Sequence, residues 1–337
     1  MRIPYDEIVT LLSTILRTSG FSEGRALLAA EFFADASRDG VPSHGLNRFP
    51  GFVVMVRDGY VKPDATPTPV ERLGAVERWD GNLGPGMLNA HQSMDRAIEL
   101  AREHTIGVVG LRNTSHWMRG ANYGWQAAEA GCLGICWTNT EPNLTPWGGT
   151  RGGVGNNPLV IAVPRSQGHV VLDMAMSQFS YGRLGNHARS GEPLPVVGGV
   201  DSSGEPTTDA QAILDGGRAL PTGYWKGSSL ALMLDLIAAL VSGGKTTRDI
   251  ADFDVEHSVS QVFAAIDLSG LNEAEFHDAV VERAVEFVLA AGEGDFGPRY
   301  PGQATLSTRR DSEKNGVLVD DEVWQRIKDL ASDGPSL

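Results

Sequence analysis

Between Val76 and residue 139 the chain alternates two hydrophobic periods, and that alternation restricts the folds open to it. Val76–Asp80 reads as a strand, and 88–103 as a helix with Met94, Ala97 and Leu100 on one side. A buried strand over 106–111, a helix over 123–130 and a second buried strand over 133–139 follow. Short apolar strands interleaved with amphipathic helices bury a sheet under helices, so the spacing predicts an α/β layer architecture with a βαβ-like rhythm.

The flanks extend the pattern. Ile8, Leu11, Leu12 and Ile15, then Leu27, Ala30, Phe32 and Phe33, recur at helical spacing over 5–17 and 22–37, with Ser22 in an N-cap region. A third helix is expected from Gly45 towards Asp58, closed by Gly59, so the opening part is helical. Downstream, 159–163 and 170–174 read as β runs joined by a hairpin-length loop, and 182–217 is turn-rich and expected to be irregular. Trp225–Ser242 is the strongest helix of the second half, closed by Gly243. A strand over 262–267 and helices over 273–289 and 320–331 complete the chain, the last capped by Asp320 or Asp321.

With 42 acidic residues against 28 Lys and Arg, the net charge of −14 repels a nucleic-acid backbone and obliges any small anionic ligand to find a local basic pocket. Cys132 and Cys136 are the only cysteines, four apart on one strand face, and read as small buried hydrophobes in a reducing compartment. The N-terminus carries no apolar signal-peptide region, and the most apolar stretch, 229–241, is interrupted by Asp235 and too short for a bilayer. The expectation is a cytoplasmic protein with no membrane partner.

Several familiar signatures fail. No G-x-G-x-x-G joins a strand to a helix: G-V-G-N-N-P at 153–158 ends in Pro158 and runs into a β-rich segment. G-G-K-T-T at 243–247 has Ala239 where a phosphate loop needs its first glycine, and it follows a helix, so it reads as a C-cap. The eight histidines show no H-x3-H or H-x-H pair, and no metal is expected.

Four polar clusters carry the chemistry. In V-P-S-H-G-L-N-R-F-P, at 41–50, a helix turning in at Ser43 would set His44 and Arg48 one turn apart. A group titrating near neutrality beside a fork that grips a carboxylate is what reduction of a 2-oxo acid requires, since oxygen must gain a proton as carbon gains a hydride. R-N-T-S-H-W-M-R-G, at 112–120, offers His116 just past a strand end. D-M-A-M-S-Q-F-S-Y-G, at 173–182, offers Asp173 to orient a histidine or bind a ribose hydroxyl. G-Y-W-K-G-S, at 223–228, opens a helix with Lys226 and makes a phosphate seat.

S-H-G-L-N-R-F-P, H-W-M-R-G, Y-G-W-Q-A-A-E, G-I-C-W-T-N, P-W-G, N-P-L-V-I-A, D-M-A-M-S, F-S-Y-G and G-Y-W-K-G-S, in that order, resemble a known family. It is the malate/L-lactate/ureidoglycolate/sulfolactate dehydrogenases, and the resemblance runs over about residues 5–330. W-M-R-G and I-C-W-T-N look more like its 2,3-diketo-L-gulonate reductase branch than its lactate or malate branches. The resemblance implies an L-sulfolactate dehydrogenase-like, non-Rossmann nicotinamide-binding fold, α/β with a mixed sheet flanked by helices. Its expected division is a helical segment over 1–65, an α/β core over 66–115 and 262–337, and a nucleotide-binding domain over 116–261.

It further implies a homodimer with its active site at the subunit contact, using NAD or NADP, NADH favoured, to reduce a sugar-derived 2-oxo acid. The implied reaction is 2,3-diketo-L-gulonate to 3-dehydro-L-gulonate. The alternatives are the same chemistry on malate, L-lactate, ureidoglycolate or a cyclic imino acid, and a non-catalytic ligand-binding relative. His44 matches the family's proton donor and Ser43 its neighbour, while His116 matches the acid/base residue of the ureidoglycolate branch. Arg48 is the inferred carboxylate clamp. The cofactor segments fall on Asp173, Met174, Ala175, Met176, Ser177, Gln178 and Phe179, on Trp225 and Lys226, and on Gly302, Gln303 and Ala304. The reductase branch is similar to Gly-His-Glu at the last site, so this chain lacks a carboxylate there.

Overall fold

The computed structural model describes residues 1–271, 273–292 and 297–332. The chain opens with β1 (Arg2–Ile3), α1 (Tyr5–Thr18) and α2 (Glu23–Arg38), a 3-10 turn at Pro42–His44 and α3 (Phe49–Arg57). Next come β2 (Thr68–Leu73), β3 (Val76–Asp80), α4 (Gly86–His104), β4 (Ile106–Thr114), α5 (Ala121–Glu129) and β5 (Cys132–Thr138). A hairpin of β6 (Leu159–Val163) and β7 (Val170–Met174) leads to α6 (Tyr181–Ser190), β8 (Gly199–Val200), β9 (Pro206–Thr207), α7 (Ala210–Leu214) and β10 (Arg218–Ala219). The last third holds α8 (Trp225–Ser242), α9 (Thr247–Ile250), β11 (Val259–Asp267), α10 (Ala274–Leu289), α11 (Gln303–Asn315), β12 (Val317–Leu318) and α12 (Asp321–Ser332).

Seven strands make one mixed sheet in the order β2-β3-β4-β11-β5-β6-β7. Only β3 and β4 pair parallel; the other pairs are antiparallel. The expected βαβ rhythm is thus modified. β4 and β5 do not touch, because β11 lies between them, antiparallel to both. No local pattern near residue 110 announces a strand that returns from residue 259.

Two apolar clusters hold the layers. The larger packs Phe33, Phe49, Phe52, Trp117, Tyr123 and Phe263 among the residues of α1, α2, α4 and α5. Each such ring withdrawn from water contributes about 1.5–3 kcal/mol. The smaller gathers Leu144, Val154, Met176, Phe179, Leu184, Ile213 and Leu234. The boundary expected between 261 and 262 falls inside β11.

Several expectations are corrected. Residues 182–217 are not irregular: α6 and α7 form there, with the small sheet β10-β8-β9. Caps supply the local reason, since Ser180 Oγ accepts the Arg183 N–H and Asp209 Oδ1 accepts those of Gln211 and Ala212. Ser22 stands at the N-cap of α2 without a side-chain cap bond. α11 was not foreseen, because it has no apolar stripe and buries only Ser312. α8 keeps its expected bounds, and Asp235 within it is satisfied by N–H groups of Asn139 and Thr247, both at 2.8 Å. Among the described residues, α8 is the one helix long and apolar enough to cross a membrane; it packs instead beside β4, β5 and β11, with Ala231, Ala238 and Ala239 buried.

Candidate active site

His116 is delivered by the loop between β4 and α5. Ser115 Oγ accepts the Gly86 N–H at 2.8 Å and donates to Gly84 O at 3.1 Å, tying the loop to the start of α4. The approach is close enough to require glycine: a Cβ on Gly86 would stand 2.2 Å from Ser115 O and 2.3 Å from His116 O. Met118 adopts φ 64°, and its N–H turns back to His116 Nδ1 at 2.9 Å. That bond occupies the Nδ1 lone pair, so the neutral ring carries its proton on Nε2. Beneath the loop, the Tyr123 hydroxyl donates to Trp117 O at 2.5 Å.

His44 arrives from the opposite side. Ser37 Oγ accepts the Leu46 N–H at 2.9 Å, and Pro42 O accepts those of Gly45 and Asn47 at 3.0 Å. The expected helix through Ser43 is therefore a tight 3-10 turn, and α3 begins only at Phe49, where Phe49 and Phe52 pack on Phe33 at 5.1 and 5.3 Å. His44 and Arg48 share no helix face, yet both line the same cavity. Ser43 Oγ lies 3.3 Å from His44 Nδ1. The start of α6 presses on Ser43, whose Cβ would be 2.7 Å from a Cβ on Gly182.

The cavity measures about 730 Å³. In it the rings of His44 and His116 stack with centroids 5.8 Å apart and planes 22° from parallel. Burial, then the charges of Arg48 and Arg119, lower the His44 pKa to about 4. Burial, Arg48 and His44 push His116 well below the ordinary histidine range. Both rings are thus neutral at neutral pH. Arg48 itself forms no ion pair or side-chain hydrogen bond among the described residues, leaving its fork free at the cavity.

Two cavity residues had no assigned role in the sequence reading. Arg119 is 3% exposed and meets Asp39 at 2.5 Å; Arg309 holds the same carboxylate through two bonds of 2.6 and 2.8 Å. Arg119 was visible in W-M-R-G but without a sign of its partner 80 residues earlier. Glu256 lines the cavity and accepts the Glu141 N–H at 2.9 Å. In a chain this acidic, nothing set it apart.

The expected cofactor residues are brought towards the end of β7. Asp173 and Ala175 line the cavity, and Asp173 Oδ2 accepts the Ala121 N–H at 2.8 Å. Met174 is half-buried against the smaller cluster, while Met176, Ser177 and Phe179 are buried. The strap is pinned through the N–H groups of Met176 and Ser177 to Asn156, and of Gln178 to Leu220. A bridge between Ser177 and Pro221 brings the segment leading to Trp225 and Lys226 alongside; both are exposed, outside the cavity wall. Gly302 lines the cavity and opens α11, with Val171 N–H donating to Pro301 O at 3.0 Å, whereas Gln303 and Ala304 lie in the first turn outside it. Two of the three segments therefore reach the cavity, through Asp173, Ala175 and Gly302, while the third lies beside the strap outside it. Among the described residues no cluster of metal-ligand type occurs.

Residues 3–328 match the malate/L-lactate dehydrogenase family. The chain belongs to that family. As a malate/L-lactate dehydrogenase family member it is an oxidoreductase. It is 43% identical to the 2,3-diketo-L-gulonate reductase of Salmonella typhi over 333 residues, covering 98% of this chain and all of that one. Its structure is similar to sulfolactate dehydrogenase from Methanocaldococcus jannaschii, with TM-score 0.89 and 27% identity over 99% and 97% of the two chains. It is also similar to Δ1-piperideine-2-carboxylate reductase from Pseudomonas syringae, with TM-score 0.86 and 29% identity over 98% and 99%. The expected L-sulfolactate dehydrogenase-like fold is borne out. Within this family fold, the missing G-x-G-x-x-G reflects a sheet that is mostly antiparallel where a Rossmann sheet is parallel.

Proposed function

We propose that this enzyme uses reduced nicotinamide, NADH favoured, to reduce a sugar-derived 2-oxo acid, 2,3-diketo-L-gulonate to 3-dehydro-L-gulonate. The observation that carries the reading is the stacked histidine pair beside the free fork of Arg48 in one cavity. The reductase relatives supply the substrate class.

The cavity fits a nicotinamide in the chemistry of its walls. Asp173 offers a carboxylate to hydroxyl or amide donors, and the strap 173–179 gives a rigid floor. The first turns of α6 and α11 offer positive ends to phosphates, with Lys226 a further cation outside the wall for a phosphate that extends beyond it. A bound reduced nicotinamide supplies the hydride for the oxo carbon. Arg48 grips the substrate carboxylate bidentately and fixes the carbonyl at the edges of the two rings. His44 delivers the proton to the oxo oxygen, and His116, its proton fixed on Nε2, donates a hydrogen bond to the same oxygen and holds it in place. A carboxylate on Arg48 also cancels part of the positive charge that disfavours protonated His44, so substrate binding arms the acid.

Two copies form the active unit in this reading. Leu232, Met233, Leu236, Ile237 and Leu240 leave an apolar face of α8 exposed, as a subunit contact would use.

The test is to mix the protein with NADH and 2,3-diketo-L-gulonate and follow the loss of reduced-cofactor absorbance, identifying the product by mass spectrometry. Turnover to 3-dehydro-L-gulonate is expected. No NADH oxidation with that acid, pyruvate or oxaloacetate would overturn the reading.

A further inference from the structure

We infer that Glu256 sets substrate specificity: its carboxylate binds the hydroxyl-bearing end of the substrate and turns away acids that carry a second carboxylate. The inference rests on the proposed 2-oxo acid reduction.

The segment between α9 and β11 carries Glu256 to the wall of the cavity that holds His44, His116 and Arg48. One oxygen, Oε2, accepts the Glu141 N–H, which fixes the carboxyl group in place. The other has no partner among the described residues. Burial raises the Glu256 pKa above the ordinary carboxylate value, the Glu141 N–H and the charge of Arg48 offsetting only part of that, and no ion pair within 4 Å joins Glu256 to Arg48. Both remain available to one ligand, a cation at its carboxylate end and an anion beyond.

The neighbouring wall is polar, with Thr140, Glu141, Asn143 and Asn156. Lactate- or pyruvate-sized substrates present only a methyl group there and leave the second Glu256 oxygen unpaired, the side-chain oxygens of Asn143 and Asn156 being already held by the N–H groups of Asn156 and Ser177. A polyhydroxylated chain presents hydroxyl donors, and a hydroxyl donating to a carboxylate makes a charge-assisted bond. A dicarboxylate would bring its second anion against Glu256 and Glu141, where repulsion in an enclosed site is strong.

The test compares wild type, Glu256→Gln and Glu256→Asp at mildly alkaline pH with 2,3-diketo-L-gulonate, pyruvate and oxaloacetate, with NADH affinity as a check on folding. In Glu256→Gln, KM for the hydroxylated acid should rise about 10–100-fold, the scale of a charge-assisted bond. Pyruvate turnover should stay within about twofold and oxaloacetate turnover should improve. Glu256→Asp should keep the rejection of oxaloacetate. A parallel fall with all three substrates, or no change with any, would overturn the inference while leaving the oxo acid reading intact. A wild type that reduces none of the three would remove that reading, and this inference with it.

Discussion

His44 and His116 stack 5.8 Å apart although one stands on a 3-10 turn after α2 and the other on a loop after β4, 72 residues later. Their environments differ in one decisive respect. The Nδ1 of His116 is occupied by the Met118 N–H, while that of His44 faces the Ser43 hydroxyl, which can donate or accept. A ring that changes protonation state through a cycle needs the adaptable partner, which assigns the acid role to His44 and the fixed donor role to His116.

Arg48 is expected to couple carboxylate binding to the proton donor. Arg48→Lys keeps the charge but breaks the fork, so KM for 2-oxo acids should rise with kcat less affected. Protonated His44 is the competent form in reduction, so kcat/KM should rise as pH falls towards about 4. Arg48→Gln removes a charge that opposes protonation, and the rise should be complete at higher pH, still short of 6.5 because burial, the larger cause, remains. An unmoved fall of kcat/KM with rising pH would contradict the coupling.

Lysine substitutions separate the proposed cofactor seat from the phosphate-loop look-alike. Lys245 offers its backbone oxygen to Asn139 and Ser260 and lays its ammonium over Phe253, none of which lines the cavity. Lys245→Ala should leave NADH affinity unchanged, whereas Lys226→Ala should weaken it by about 1.5–3 kcal/mol, one charge-assisted phosphate contact. Fluorescence titration with NADH distinguishes them, and the reverse ranking would relocate the site.

Asp39 should be a major electrostatic support of the native state. Burial alone would raise its pKa, but hydrogen bonds from Arg309 and the charges of Arg119 and Arg38 outweigh that and hold it at about 2, below the ordinary 3.8. The stabilisation is therefore full above pH 3.8 and is lost as pH falls through about 2. Asp39→Ala strands Arg119 in the interior and should cost about 3–5 kcal/mol in denaturant unfolding. A loss below about 1 kcal/mol would mean the arginines find other partners.

The fold was legible wherever local chemistry decides structure. α8 was readable to the residue because an apolar stretch broken only by Asp235 ends at Gly243, and the β6–β7 hairpin because its loop is short. β11's place between β4 and β5 was not, since strand order depends on pairing between residues about 150 positions apart. His44, Arg48 and His116 stood out as reactive types in polar strings. Glu256 and the Asp39–Arg119 pair did not, because burial creates their significance and burial is a tertiary property.

The α8 face gives a direct test of assembly. Leu240 is 72% exposed, and Leu240→Glu should place a charge in the proposed subunit contact. Sedimentation should show a wild-type dimer and a variant shifted towards monomer. A wild type that is a fully active monomer would contradict the two-chain unit.

The most direct test of the account is the steady-state comparison of His44→Asn with His116→Asn in reduction of 2,3-diketo-L-gulonate. Asparagine keeps a hydrogen-bonding group but cannot titrate, so His44→Asn should lower kcat by roughly 10²–10⁴ with NADH binding nearly unchanged. His116→Asn should be milder and should leave in place the fall of rate with rising pH that His44 sets. A nearly inactive His116→Asn beside an active His44→Asn would contradict the assignment and transfer the proton role to His116.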